Sequence, residues 1–239
     1  MERNRNIAGP EQAPLAGARL RRCVDALAAL DSDVAAALAR IGYPPARQRE
    51  PGFGTLVRIV AAQQVSVASA AAIWRKLEQL LPDGVTAPAF LGLDDAALRA
   101  VGFSAAKAAY ARGAALAVAD GSLDLAALAH LEEEAAILEL TRLRGFGRWS
   151  AEIYLLFALG REDVFPADDL AVRIGFQRLK GLTTAPRGRE LRALVEPWRP
   201  YRGAGAVFLW HLYGAATLAE PALTPLPTAR PARRPGRSG

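Results

Sequence analysis

Residues 143–178 read LRGFGRWSAEIYLLFALGREDVFPADDLAVRIGFQR and constrain the fold more than any other stretch. Just upstream, 132–143 has apolar residues at helical spacing, with Ala136, Ile137, Leu140 and Leu143 on one side. Gly145 and Gly147 then supply turn positions where a Cβ would be costly, or would hold another backbone away. From Trp149 the run WSAEIYLLFALG is too apolar for a surface helix and belongs in a core. Two helices joined by a Gly-x-Gly hairpin leave the first N–H groups of the second helix without intrahelical partners. With the helix dipole behind them, those donors form an anion site suited to a DNA phosphate. Taken alone, the same glycines equally build an ordinary αα-hairpin that binds nothing.

A chain of 239 residues can bury a substantial core, in one large domain or two lobes. Alanine is abundant and no alternating strand pattern of useful length occurs, so the expected fold is all-α. No apolar run reaches membrane-spanning length without interruption, and the first thirty residues lack the order of a signal peptide. The expectation is a cytoplasmic protein, nucleoid-associated if bacterial. Cys23 is the single cysteine, which excludes an internal disulfide and any metal or iron–sulfur site built from several cysteines of this chain. The net charge of +6 is misleading, because Arg230, Arg233, Arg234 and Arg237 lie in a stretch, 221–239, that contains no acid. Without them the body carries only a small positive excess, so DNA binding has to be argued from local placement.

The spacing predicts helices over 18–30, 33–41, 55–64, 66–81, 94–101 and 104–118, with Asp31 or Ser32, Ser66 and Ser104 as caps. Further helices are expected near 188–198 and 200–218. The polar start, 1–15, and the Pro/Arg-rich end, 221–239, are expected to be disordered, leaving 16–220 as the folded core.

About twenty residues past the hairpin, Phe165-Pro166-Ala167-Asp168-Asp169 opens another apolar-periodic helix, LAVRIGFQRL. The sequence LRGFGRWSA followed in this order and spacing by FPADDLAVR resembles the helix-hairpin-helix DNA glycosylases, in particular their alkylated-base (3-methyladenine) branch. The likeness runs from about Pro51 to Gly214. It implies a two-lobed helical fold with the active site in the cleft between lobes, lacking the extra N-terminal β-rich domain that some relatives carry. It also implies a monomer that acts on double-stranded DNA containing alkylated bases, with no membrane partner.

Hydrolysis of an N-glycosidic bond develops positive charge on the sugar and calls for a fixed anion near C1′. Asp169, at a helix start where the dipole favours negative charge, is the candidate, and the resemblance places the catalytic aspartate there. Asp168 is assigned to capping; read locally, both acids could be no more than caps. Trp149 stands where bifunctional relatives carry a lysine that attacks the sugar, and Arg148 cannot serve as an amine nucleophile. A monofunctional enzyme that uses water and needs no cofactor is implied. Cationic alkylated bases suit an aromatic pocket, and Trp149, Trp210 and Tyr154 are the expected walls, with Phe157 a further contributor; each could equally belong to the core.

Gln63 and Gln64 interrupt an apolar stretch, either at a helix–helix junction or, as in the resembled family, as a wedge replacing the flipped nucleotide. The expected backbone clamp comprises Gly145, Gly147 and the N–H groups of Arg148 to Ser150, with Lys107 as a phosphate ligand or a plain surface lysine. The resemblance further implies an optional Na+ or K+ held by the carbonyls of Thr141, Leu143 and Phe146. His130 and His211 are isolated and have no ligand-like spacing. Two rivals remain open: a non-catalytic helix-hairpin-helix DNA-binding module, and a glycosylase for deaminated or oxidised bases.

Overall fold

The structure, a computed structural model, describes residues 15–47 and 49–219. The two segments expected to be disordered lie outside the described residues except at Leu15, which is buried and belongs to the core. Among the described residues there are helices and turns and no strand. Gly17–Leu30 (α1) and Ser32–Ile41 (α2) pack on each other and on the C-terminal helices Leu170–Leu179 (α10) and Arg202–Ala219 (α12). The intervening chain forms a second group: Phe53–Ala62 (α3), Val67–Leu80 (α4), Ala87–Leu91 (α5), Asp95–Val101 (α6) and Ala105–Ala119 (α7). Glu133–Thr141 (α8) and Arg148–Phe157 (α9) form the hairpin, and α9 packs on α3. Gly188–Leu194 (α11) precedes a short 3-10 turn at Glu196–Trp198.

Local chemistry accounts for most boundaries. Asp31, Ser66, Asp94 and Ser104 each accept N–H groups of the helix they precede. Gly102, at φ 110°, ends α6 in the left-handed conformation. Helix α5 was not expected, because five residues are too few to display a period; Thr86 caps it from outside. Helix α3 stops at Ala62, two residues earlier than the apolar pattern implies.

The close crossing of α10 and α12 sets the geometry of the site. At Gly175 a Cβ would lie 2.5 Å from the Leu209 carbonyl oxygen, so only glycine lets the two helices approach this closely. Asp31 locks the N-terminal helices to the same group. Besides capping α2, it accepts Lys180 Nζ at 2.7 Å and Trp198 Nε1 at 2.8 Å. Burial opposes ionisation of this carboxyl, but the Lys180 and Trp198 hydrogen bonds outweigh it and hold the group below its ordinary value of 3.8. Asp31→Ala is expected to cost on the order of 3 kcal/mol in urea unfolding. A lowered carboxyl contributes stability above its unfolded value and loses it as pH falls through the folded one. The gap between wild type and variant should therefore be full at neutral pH and close only in acid, below 3.8.

Candidate active site

Where the two helical groups meet, a cleft of about 840 Å³ opens between α9, the start of α10 and α12. Asp169 lies in it as the residue immediately before α10. Its Oδ1 accepts the N–H groups of Ala171 at 2.9 Å and Val172 at 3.0 Å, and Trp210 Nε1 at 2.9 Å. Its Oδ2 accepts Trp149 Nε1, also at 2.9 Å. Four N–H donors thus fix the plane and position of one carboxylate at the cleft wall. Asp169 is itself the cap of α10, the role that the sequence reading assigns to Asp168. Asp168 is exposed, with Oδ2 3.7 Å from Arg192.

The two indoles therefore have a second task beyond lining the cleft, which the sequence did not disclose. Phe157 packs on Trp210 with ring centroids 5.3 Å apart, and Ile153 completes the apolar wall of α9. Tyr154 does not line the cleft. It is fully buried on the other side of α9, where its Oη accepts the Gly52 N–H at 3.0 Å and burial pushes the phenol up to about 12. A helix apolar all round gives no period by which to tell its cleft face from its core face.

The hairpin turn joins α8 to α9. Gly145 has φ 86°, and a Cβ there would meet the Tyr110 ring at 2.2 Å, so the turn itself requires glycine. Gly147 differs: its φ is −96°, and a Cβ would find nothing within 4 Å. As the N-cap of α9 it offers no side chain to the N–H groups of Arg148, Trp149 and Ser150, which stay available to an anion. The Arg148 side chain is engaged elsewhere, on Glu134 at 2.5 Å and on the fully buried Glu152 at 2.9 Å. Glu152 also receives Arg192, whose Nη1 donates to the Phe165 carbonyl at 3.0 Å. Burial pushes the Glu152 carboxyl up while Arg192 and Arg148 pull it down. The trio ties the hairpin to the loop carrying Asp169.

A family model described as HhH-GPD superfamily base excision DNA repair protein matches residues 57–200, which include α9, the hairpin and Asp169. The chain belongs to the HhH-GPD superfamily. It is 34% identical to DNA-3-methyladenine glycosylase 1 of Schizosaccharomyces pombe over 185 residues, 75% of this chain and 81% of that one. Among solved structures it is similar to the Schizosaccharomyces pombe 3-methyladenine DNA glycosylase in complex with abasic DNA. The TM-score is 0.74 at 33% identity, over 79% of this chain and 95% of the other. It is also similar to a DNA-3-methyladenine glycosidase from Bacillus halodurans, with a TM-score of 0.68 at 30% identity, over 82% and 91% of the two chains.

Around this HhH-GPD hairpin the remaining expected residues separate. Gln63 is partly buried, and its amide donates to the Gly145 carbonyl at 2.9 Å and to Ser150 Oγ at 3.3 Å. It fastens α3 to the turn and buttresses the clamp from behind. Gln64 is exposed and has φ 55°, the one positive value at a non-glycine among the described residues. Lys107 is not a free surface cation: Nζ donates to the Ala61 carbonyl at 2.9 Å, capping the end of α3, and burial lowers its pKa. The Leu143 carbonyl accepts the Phe146 N–H at 3.0 Å and keeps a second lone pair. With the carbonyls of Thr141 and Phe146 it supplies neutral hard oxygens, a donor set that fits Na+ or K+. No group of His, Cys, Asp or Glu among the described residues could hold a metal ion. No helix among them is long and apolar enough to cross a membrane.

Nothing in the sequence pattern points to Arg49. It sits in the Pro-containing loop before α3, where no period exists to assign it, and it lines the cleft with its guanidinium 5.6 Å from the Phe157 ring centroid. Its own N–H donates to the Phe157 carbonyl at 3.1 Å. Burial, with Arg58 and Arg47 nearby, pulls the guanidinium down to about 10, leaving it charged at neutral pH.

Proposed function

We propose that this chain is a monofunctional DNA glycosylase that removes N-alkylated purines and leaves an abasic site, with Asp169 as the catalytic carboxylate. The observation that carries this reading is the carboxylate held by two indole N–H groups in an aromatic-walled cleft beside the hairpin. A protein that only bound DNA would have no use for that arrangement. Its similarity to 3-methyladenine glycosylases from two organisms supports the base class.

In this reading the N–H groups of Arg148 to Ser150 take a backbone phosphate in the space left open at Gly147. A Na+ or K+ on the carbonyls of Thr141, Leu143 and Phe146 would add positive charge beside that phosphate. Gln64 enters the duplex where the flipped nucleotide leaves, and the extruded base lies against Trp210 and Phe157. As the bond between C1′ and the base nitrogen breaks, its electron pair leaves with the base. Asp169 stabilises the cation developing on the sugar. A cationic alkylated base leaves neutral in this way, and water then forms the new bond to C1′ and releases its proton to solvent. The protein works as a monomer on double-stranded DNA.

The test is incubation with methylated, deaminated and oxidised duplexes and quantification of the released bases. Methylated purines should lead; duplex binding with no base released from any substrate would leave only the DNA-binding module. A further expected outcome concerns the strand. With Trp149 where a nucleophilic amine would stand, borohydride should trap no covalent adduct, and nicks should appear only after alkali or heat. A robust adduct would rule out the water-using mechanism.

A further inference from the structure

Glu152 is a carboxylate with no exposure, on the helix that carries the open N–H groups of the hairpin. Its Oε1 accepts Arg148 Nε and Arg192 Nη2, each at 2.9 Å. Its Oε2 is buried with no hydrogen-bond partner among the described residues. Arg148 is the first residue of α9 and also reaches Glu134 on α8. Arg192 comes from α11, and its Nη1 holds the Phe165 carbonyl, which also accepts the Ala167 N–H at 2.9 Å. The next carbonyl, that of Pro166, accepts the Asp169 N–H at 3.0 Å, so the turn held by Arg192 leads directly to the cleft carboxylate. One buried oxygen thus joins both arms of the hairpin to the loop that ends at Asp169.

Stability is a poor reason for such a cluster. Ions taken out of water recover little more than their desolvation cost, and apolar side chains of the same volume often do as well. What the cluster supplies is geometry. A phosphate on the N–H groups of Arg148 to Ser150 fixes where the sugar of the flipped nucleotide lies relative to α9. Asp169 must then stand at the right distance from C1′, and an error of about 1 Å costs on the order of 10²-fold in rate. The Trp149 indole aims the carboxylate, while the planar Arg192 fork spaces its loop from α9.

We propose that Glu152 and Arg192 are positioning residues for base excision, setting the span between the phosphate clamp and Asp169 and acting on the chemical step rather than on DNA affinity. The proposal deepens the glycosylase reading and rests on it for the reaction. Position, not charge, is the essential part. Both arginines meet on Oε1 and Oε2 takes no bond, so a glutamine with its oxygen at Oε1 keeps both contacts.

The test compares wild type with Glu152→Gln, Glu152→Met and Arg192→Met in the full chain. Duplex affinity, single-turnover release from a methylated duplex at saturating enzyme, and urea unfolding are measured for each. Affinity for a duplex with a cationic pyrrolidine abasic analogue, relative to neutral tetrahydrofuran, is the fourth readout. Glu152→Met and Arg192→Met should lower release about 10²-fold and weaken the cationic preference, with ordinary duplex affinity near wild type. Glu152→Gln should keep most of the release. If Glu152→Met does not fold, Glu152→Gln and Arg192→Met, whose side chain is partly exposed in the wild type, still decide. Unchanged release in Arg192→Met, or affinity and release falling in equal proportion, would mean that the cluster only holds the fold, and would overturn the proposal. Glu152→Gln as impaired in release as Arg192→Met would make charge the task and overturn it as well. If wild type released no base yet its cationic preference vanished in Arg192→Met, the positioning of Asp169 would stand and the glycosylase reading would fall.

Discussion

Asp169→Asn is expected to lower single-turnover base release by roughly 10²–10³-fold or more, while duplex binding persists. The amide has nearly the same shape and no charge, so it cannot offset the positive charge that develops on the sugar. The structure adds a second consequence. Each carboxylate oxygen accepts one indole N–H, from Trp210 on Oδ1 and Trp149 on Oδ2. Asparagine has one oxygen, so one indole would face an amide NH2 and lose its acceptor, at about 1–3 kcal/mol. Asparagine still caps α10 adequately. Thermal unfolding should thus show a modest loss, too small to explain an inactive enzyme. Asp168→Asn should leave release unchanged and shift stability by at most ~1 kcal/mol, because its partner Arg192 is 3.7 Å away at an exposed site. Equal, severe loss in both variants would show that the wrong carboxylate has been chosen.

The two hairpin glycines should fail in different ways. Gly145→Ala forces a left-handed backbone on a residue with a Cβ and drives that carbon to 2.2 Å from Tyr110. A stability loss of roughly 3 kcal/mol is expected, with DNA affinity falling because the turn moves. Gly147→Val meets no protein atom, since nothing lies within 4 Å of its Cβ position. The fold should survive at a cost of about 1 kcal/mol at the cap, while duplex affinity falls about ten-fold as the side chain fills the proposed phosphate space. Urea unfolding and a binding titration on each variant separate the two effects. If Gly147→Val bound DNA normally, the anion would have to sit elsewhere on the turn.

What the sequence disclosed and what it hid follow from how local each feature is. Caps at Asp31, Ser66 and Ser104 depend on residues two or three apart, and they were readable. So were the hairpin and the position of Asp169, because motif and helix start are contiguous in the chain. Tyr154 went astray because α9 is buried on almost every side, which leaves no polar face to orient it. Lys107 found its partner, Ala61, across the packing of α7 on α3, which no local pattern encodes. Arg49 and the Glu152 network are hidden for the same reason, since their roles exist only once the loop before α3, α9 and α11 are assembled. The start of α10 at Leu170 is readable in the sequence, and the residue immediately before a helix is its cap, so capping falls to Asp169 rather than Asp168.

The claim on which the rest depends is that Asp169 presents a fixed negative charge to the sugar. Affinity for a duplex carrying a cationic pyrrolidine abasic analogue, relative to one carrying neutral tetrahydrofuran, measures that charge with no turnover involved. Wild type should bind the cationic duplex at least about 10²-fold more tightly, as expected of a transition-state mimic, and Asp169→Asn should lose most of that preference. Equal affinity for the two duplexes in wild type, or an undiminished preference in Asp169→Asn, would contradict the assignment.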